Sequence, residues 1–158
     1  MKNLNNILVQ SSNFGIARVL LNDPKTYNAL SSQTIISLIK TFKKLNNDKK
    51  TKVIILEGKG RGFSAGHDLK EIKRLNKKSK YQKLFYLCSK LMLEIIEGKK
   101  PVIAKVHGAA FAAGCQLVAS CDLAISSEDS IFATPGVNIG LFCSTPMVAV
   151  SRKVSRKK

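Results

Sequence analysis

Tryptophan is absent from this sequence, and aromatic residues make up only 6% of it. Few side chains are therefore available as stacking platforms for nucleic-acid bases. Long apolar runs are missing too. None reaches the ~20 residues of a membrane span, so no membrane partner is expected. The start, Met1–Asn6, lacks the long apolar segment and small-residue cleavage site of a secretory signal. Cysteine is sparse. Cys88, Cys115, Cys121 and Cys143 show no CxxC spacing. They read as reduced, mostly buried thiols of a cytoplasmic protein, with no metal site expected. Acidic residues are scarce, 10 Asp and Glu against 27 Lys and Arg, for a net charge of +17. The basic residues are scattered, with denser patches at Lys40–Lys52, Lys70–Lys83 and Arg152–Lys158. Such a field suits a phosphate-rich small ligand. RNA is the alternative partner, although no aromatics interleave with the lysines. A generally lysine-rich proteome would give the same composition.

What is present is a packable chain. Its 158 residues suffice for one ordinary domain, and 44% hydrophobic content argues against global disorder. Ile7–Gln10 and Ile16–Leu21 read as strands around a Ser-Ser-Asn-Phe-Gly turn. Ser31-Ser32-Gln33 offers an N-cap, and Ile35, Ile36, Leu38, Ile39, Phe42 and Leu45 form a helical stripe ending at Asn46-Asn47-Asp48. Val53–Leu56 is a continuous apolar run suited to a sheet covered on both faces. A basic helix is expected from Leu69, a break over Asn76–Ser79, and a helix over Tyr81–Glu97. Strands follow at Val102–Val106, Asp122–Ile125 and Ile131–Ala133. Pro135–Pro146 reads as irregular, with a basic helix from Met147 to the end. Alternating strands and helices make the class α/β.

Two stretches carry chemistry. Gly108–Gly114 joins a strand to the apolar helical run Leu117-Val118-Ala119. Arg61–Leu69 likewise follows a strand and precedes a helix. Small residues at a helix start let a ligand approach backbone N–H groups that have no intrahelical partner. The helix dipole adds positive potential there. One such turn is more often a packing device. Two can aim two donors at one oxygen.

Pro24–Leu30, Gly62–Glu71 and Val106–Ala124 together resemble the crotonase superfamily, the enoyl-CoA hydratase/isomerase proteins. Phe132–Pro146 narrows the likeness to one branch of it. The resemblance covers nearly the whole chain, in order. It implies a crotonase/ClpP-like spiral of β-β-α units that binds acyl-CoA thioesters, with coenzyme A as part of the substrate and no separate cofactor. It implies one core domain over residues 1–158 without the family's later helical region, and a homotrimer or hexamer for a full-length parent. An unburied edge would then favour aggregation. By position, the backbone N–H groups of His67 and Ala113 hold the thioester oxygen. Ala65, His67, Asp68, Leu69, Lys70 and Gly114 match positions lining the substrate site, and Lys25 and Lys70 are placed to meet CoA phosphates.

The pattern breaks where hydratases of the family carry two glutamates. Here Gln116 and Gly136 stand instead. Neither titrates near neutral pH, so hydratase turnover by the usual route is expected to be weak or absent. Gln116 can orient a water by hydrogen bonding. Asp68 and Glu71 are the nearest carboxylates to the first turn, although capping a helix is their commoner role. The His67 side chain is a further candidate base. Cys143 is a candidate nucleophile, against the commoner buried inert thiol. His107 and Asp122 read as structural. Three readings follow: an enzyme of enolate chemistry, an acyl-CoA-binding pseudoenzyme, or an RNA-binding protein on the same fold.

Overall fold

The computed structural model describes residues 6–155. The readings made on Met1–Asn5 and on Arg156–Lys158 lie outside the described residues. The chain opens with strands β1 (Ile7–Ser11) and β2 (Ile16–Leu21), paired antiparallel across the expected turn. Helix α1 (Ser32–Asn47) follows, and Ser31 caps it by accepting from the Thr34 N–H. Strand β3 (Val53–Gly58) returns parallel to β2. Helices α2 (Leu69–Arg74) and α3 (Lys78–Ile96) lead to β4 (Val102–Val106), parallel to β3. Then come β5 (Ala109–Phe111), α4 (Ala113–Ser120), β6 (Leu123–Ser126) and β7 (Ile131–Ala133). A 3-10 turn at Pro135–Ile139 precedes α5 (Ser144–Ser151).

The main sheet runs β1-β2-β3-β4-β6, and β5 pairs with β7 in a second, two-stranded sheet. One face of the main sheet supplies Val19, Leu21, Ile54, Leu56 and Ala104 to the core. Helices α1 and α3 cover that face with Ile35, Leu38 and Phe42, and with Leu84, Leu91 and Ile95. Strict alternation in β2 and β4 fits a half-covered sheet, since successive side chains point to opposite faces. Arg18, Glu57 and Lys105 mark the other face.

Three readings need correction. The break between α2 and α3 falls at Leu75-Asn76-Lys77, and α3 starts at Lys78 rather than Tyr81. Leu75 is packed against the core cluster, and its extended backbone ends α2 before the polar run does. The Gly108–Gly114 stretch contains a short strand, β5, which pattern alone misses because three residues are too few to show alternation. Helix α5 begins at Ser144, not Met147, and ends at Ser151, so Arg152–Ser155 do not continue it as a basic helix. Pro146 sits in its first turn, where a missing N–H costs no intrahelical bond.

The loops after β3 and β4 stack on one another. Ser64 pairs with Ala110, and Leu30 with His67, as single parallel bridges. Ser64 donates its N–H to Ala109 O and accepts from the Phe111 N–H. The two small-residue turns therefore enter successive levels of the same stack.

Candidate functional site

The first turn is held from below by one side chain. Asn28 is 2% exposed, and its Nδ2 donates to the carbonyls of Lys59, Gly62 and Phe63 at 2.9 to 3.1 Å. Its Oδ1 accepts from the Asp23 N–H. Ser64 Oγ donates to Asn28 O and accepts from the Gly66 N–H. Leu30 N–H donates to Gly66 O at 2.7 Å, and Phe63 is fully buried. The sequence reading named no role for Asn28. Its place within the Pro24–Leu30 motif was the available signal.

The second turn is held by close approach. A Cβ on Gly66 would lie 2.8 Å from Phe111 O and 3.1 Å from the Ala113 nitrogen. Gly66 also has φ +88, a left-handed region that glycine enters without strain. A Cβ on Gly114 would lie 2.4 Å from Ser64 O. Ala112, between the turn and α4, sits at φ +48, ψ −118. That is a strained setting for a residue with a Cβ, of the order of 1–3 kcal/mol. Its ψ sets the direction of the Ala113 N–H. Neither that N–H nor the N–H of His67 donates to a protein acceptor among the described residues.

Both residues line a pocket of about 470 Å³. This lies within the usual range for small-ligand sites. Ala65, His67, Leu69, Ile72 and Phe85 form one side. Ala112, Ala113 and Gln116 line the pocket from the start of α4, and the 135–146 segment contributes further lining residues, among them Gly136, Ile139, Phe142 and Thr145. Of the residues expected at the substrate, Ala65, His67, Leu69, Ala113 and Gln116 come together here. Gly114 is buried beneath it against Ser64. Lys25 and Lys70 are exposed and lie outside the pocket lining. The wall residues Ile139, Phe142 and Thr145 escaped the sequence reading, because an irregular segment shows no periodicity.

The other candidate groups sort by their bonds. Asp68 caps α2, accepting from the Lys70 and Glu71 N–H groups. Glu71 Oε2 accepts from the Ser32 N–H at the start of α1. Both carboxylates are thus engaged with helix N-termini. Asp122 Oδ2 accepts from the Val102 N–H at 2.8 Å, and His107 Nε2 bonds Gly60 O at 2.7 Å. The His67 ring lines the pocket edge-on to Phe85, with centroids 5.4 Å apart. Its Nδ1 is buried without a hydrogen-bond partner among the described residues. Burial lowers its pKa, against weaker opposing effects from the Leu30 backbone and the Glu71 charge. Cys143 is 8% exposed and lines the pocket, close to Gly136. Gln116 is 6% exposed, and its Oε1 accepts from Thr145 Oγ1 at 3.2 Å.

A second concavity of about 500 Å³ lies on the outer sheet face, between Arg18 and Lys105. Both cations there share a single carboxylate, Glu57. Among the described residues no cluster of His, Cys, Asp or Glu is arranged to hold a metal ion. No helix there is long and apolar enough to cross a membrane.

Residues 11–158 match the family model described as enoyl-CoA hydratase/isomerase. This chain belongs to that family. The α/β spiral is correspondingly shared with solved structures. An enoyl-CoA hydratase of Mycobacterium smegmatis superposes with TM-score 0.93 at 46% identity, covering 96% of this chain and 59% of that one. Human enoyl-CoA hydratase domain-containing protein 3 gives 0.91 at 46% identity, covering 96% and 60%. By sequence, enoyl-CoA hydratase domain-containing protein 3, mitochondrial, of Danio rerio is 50% identical over 143 residues, 90% of this chain and 50% of that protein. The Homo sapiens protein is also 50% identical over 143 residues, 90% of this chain and 47% of that protein. The narrower likeness carried by Phe132–Pro146 is to this branch. The chain spans about half the length of these relatives. The family binds acyl-CoA thioesters and needs no cofactor beyond the CoA-bound substrate.

The expectation of a cytoplasmic protein is overturned by these relatives, which are named as mitochondrial proteins. It rested on cysteines without CxxC spacing and on the composition of Met1–Asn6. Neither feature separates the cytosol from other reducing compartments.

Proposed function

We propose that this chain binds an acyl-CoA thioester and grips its carbonyl oxygen between the backbone N–H groups of His67 and Ala113. One observation carries the reading: both donors lack a protein acceptor among the described residues and border one pocket, on turns in mutual contact. Donors of this kind stabilise a developing enolate oxygen, with one typically worth ~3 kcal/mol in a transition state. Holding that charge acidifies the α-carbon of the bound acyl chain. The apolar wall from Ile72, Phe85, Ile139 and Phe142 suits an acyl chain.

Acid–base groups are the weak part of the site. Gln116 and Gly136 replace the glutamates of the hydratases, and Asp68 and Glu71 are occupied with helix ends. A general acid or base typically contributes ~10²–10⁴-fold. The chain therefore acts as an acyl-CoA binder with little or no hydratase turnover.

Two measurements test this. Calorimetry compares butyryl-CoA with butyl-CoA, the thioether that lacks the carbonyl oxygen. The thioester is expected to bind roughly tenfold more tightly, about the net value of a strong hydrogen bond. Equal affinities would remove the two-donor grip. Loss of enoyl absorbance from crotonyl-CoA then reads turnover, which is expected to be slow or absent.

A further inference from the structure

The outer face of the main sheet carries charge and apolar surface that the acyl-CoA pocket does not use. Gln10 on β1 stands opposite Arg18 on β2, so the two share that face. Arg18 is in register with Ile55 of β3, and Glu57 with Lys105 of β4. Residues two apart in a strand point the same way, which adds Ile16 beside Arg18 and joins Ile55 to Glu57. Ile16, Arg18, Ile55 and Lys105 border the concavity of about 500 Å³, together with residues 10–12.

Glu57 fixes how Arg18 is presented there. Its carboxylate takes the Nε–H and one Nη2 hydrogen of the guanidinium, at 2.8 and 3.0 Å. A guanidinium has five N–H donors in a planar arrangement. The second fork, Nη1 with the other Nη2 hydrogen, has no protein acceptor among the described residues. Lys105 Nζ stands 3.5 Å from the same carboxylate. The Glu57 side chain is 9% exposed, whereas those of Arg18 and Lys105 are 47% and 60% exposed, so both cations remain open to a ligand. Two cations against one carboxylate leave one net positive charge, and no Asp or Glu lines the concavity. Ser12 Oγ accepts from the Phe14 and Ile16 N–H groups, and its own hydrogen has no protein acceptor among the described residues. The open polar groups are thus cations and donors, set beside the aliphatic side chains of Ile16 and Ile55. A free arginine fork matches a carboxylate bidentately, and an oriented one loses less freedom on binding.

We propose that this face binds a second ligand, a small organic acid whose carboxylate meets the free fork of Arg18 and the Lys105 ammonium while its apolar body lies on Ile16 and Ile55. The site shares no lining residue with the acyl-CoA pocket, so it stands or falls independently of that reading. Amide NMR titration of the 158-residue chain, at fixed ionic strength, compares benzoate with benzamide, its neutral counterpart, and with acetate, which lacks the apolar body. Benzoate is expected to shift the amides of Ser12, Ile16 and Ile55, and to bind roughly fivefold more tightly than either control, the upper end for an exposed ion pair. Arg18→Lys keeps the charge beside Glu57 but loses the fork, and brings benzoate to within about twofold of benzamide. Arg18→Gln combined with Glu57→Gln removes the charged pair together and does the same. Lys44→Gln, on the helix covering the opposite face, leaves the ratio unchanged. Equal binding of benzoate and benzamide overturns the proposal, as does acetate binding as tightly as benzoate. A ratio that survives Arg18→Lys overturns it too. So do benzoate shifts spread along α1 and α3 in place of the outer face, the mark of the general positive field.

Discussion

The α-carbon of Gly114 faces the carbonyl oxygen of Ser64 so closely that an added methyl would stand 2.4 Å from it. This contact joins the two turns that carry the free N–H groups. Overpacking against backbone cannot be relieved by a rotamer change and typically costs 1–3 kcal/mol, occasionally more. Gly114→Ala is therefore expected to lower stability by about 2 kcal/mol in denaturant titration. It should also weaken butyryl-CoA binding in calorimetry, because the turns must separate.

Asn28 is expected to be the most sensitive polar position outside the pocket. Its amide serves three carbonyls of the first turn, and its own backbone has φ +55. Asn28→Ala leaves those buried acceptors without their donor, at about 1–3 kcal/mol for each buried group left unmade. A loss of about 3 kcal/mol by chemical denaturation, with weaker acyl-CoA binding, is the expected outcome. Asn28→Asp should be nearly as damaging, since a carboxylate cannot donate to the carbonyls of Lys59, Gly62 and Phe63.

Hydratase activity is not expected to return by restoring one glutamate at position 136. A Cβ there would meet Leu141 O at 2.4 Å and Cys143 Sγ at 2.6 Å. Gly136→Ala should already cost about 1–3 kcal/mol, read as a lowered Tm. Gly136→Glu should show no gain in crotonyl-CoA hydration over the unmodified chain. A large gain would mean that the 136–143 segment moves aside readily.

Glu57 sets an acid limit on stability. Burial alone raises its pKa, but the Arg18 guanidinium and the Lys105 ammonium outweigh this and hold it below the ordinary 4.5. A carboxylate with a depressed folded pKa contributes stability above its unfolded pKa, and loses it as pH falls through the folded one. The pair of bonds from Arg18, at 2.8 and 3.0 Å, is therefore fully effective above about pH 5. Glu57→Gln should flatten the stability profile below that pH while lowering the plateau at neutral pH. Thermal melts across pH 3 to 7 would show it.

Cys88, Cys115 and Cys121 are expected to be inert in the folded chain. Burial pushes Cys88 and Cys121 up to about 12, and it also raises Cys115, with Cys143 nearby adding to the effect. Little thiolate is then available at neutral pH. Iodoacetamide should leave these three unmodified natively and label all four cysteines after denaturation.

The main sheet and the helices covering it were legible from the chain because their signals are local. Ser31 before an apolar stripe marks α1, and the run Val53–Leu56 marks β3, although only one face of that strand is covered by helices and not both, since Arg18, Glu57 and Lys105 occupy the other. The two small-residue turns were legible for the same reason, since each lies between a strand and a helix. The contacts between distant segments were not. Asn28 reaches carbonyls more than thirty residues away, and Thr145 reaches Gln116 across 29 positions. No spacing rule encodes such pairs. The short strand β5 gains its identity from Ile131, Phe132 and Ala133 alongside it, rather than from its own Ala-Ala-Phe.

Ala112 bears on how the site responds to warming. A glycine at φ +48 would relax the backbone and should raise Tm, yet it would also let the peptide between residues 112 and 113 swing. The alanine methyl restricts that swing, so the direction of one amide is maintained at the expense of melting temperature. Ala112→Gly should thus give a hardier fold whose grip on a thioester fades sooner as temperature rises.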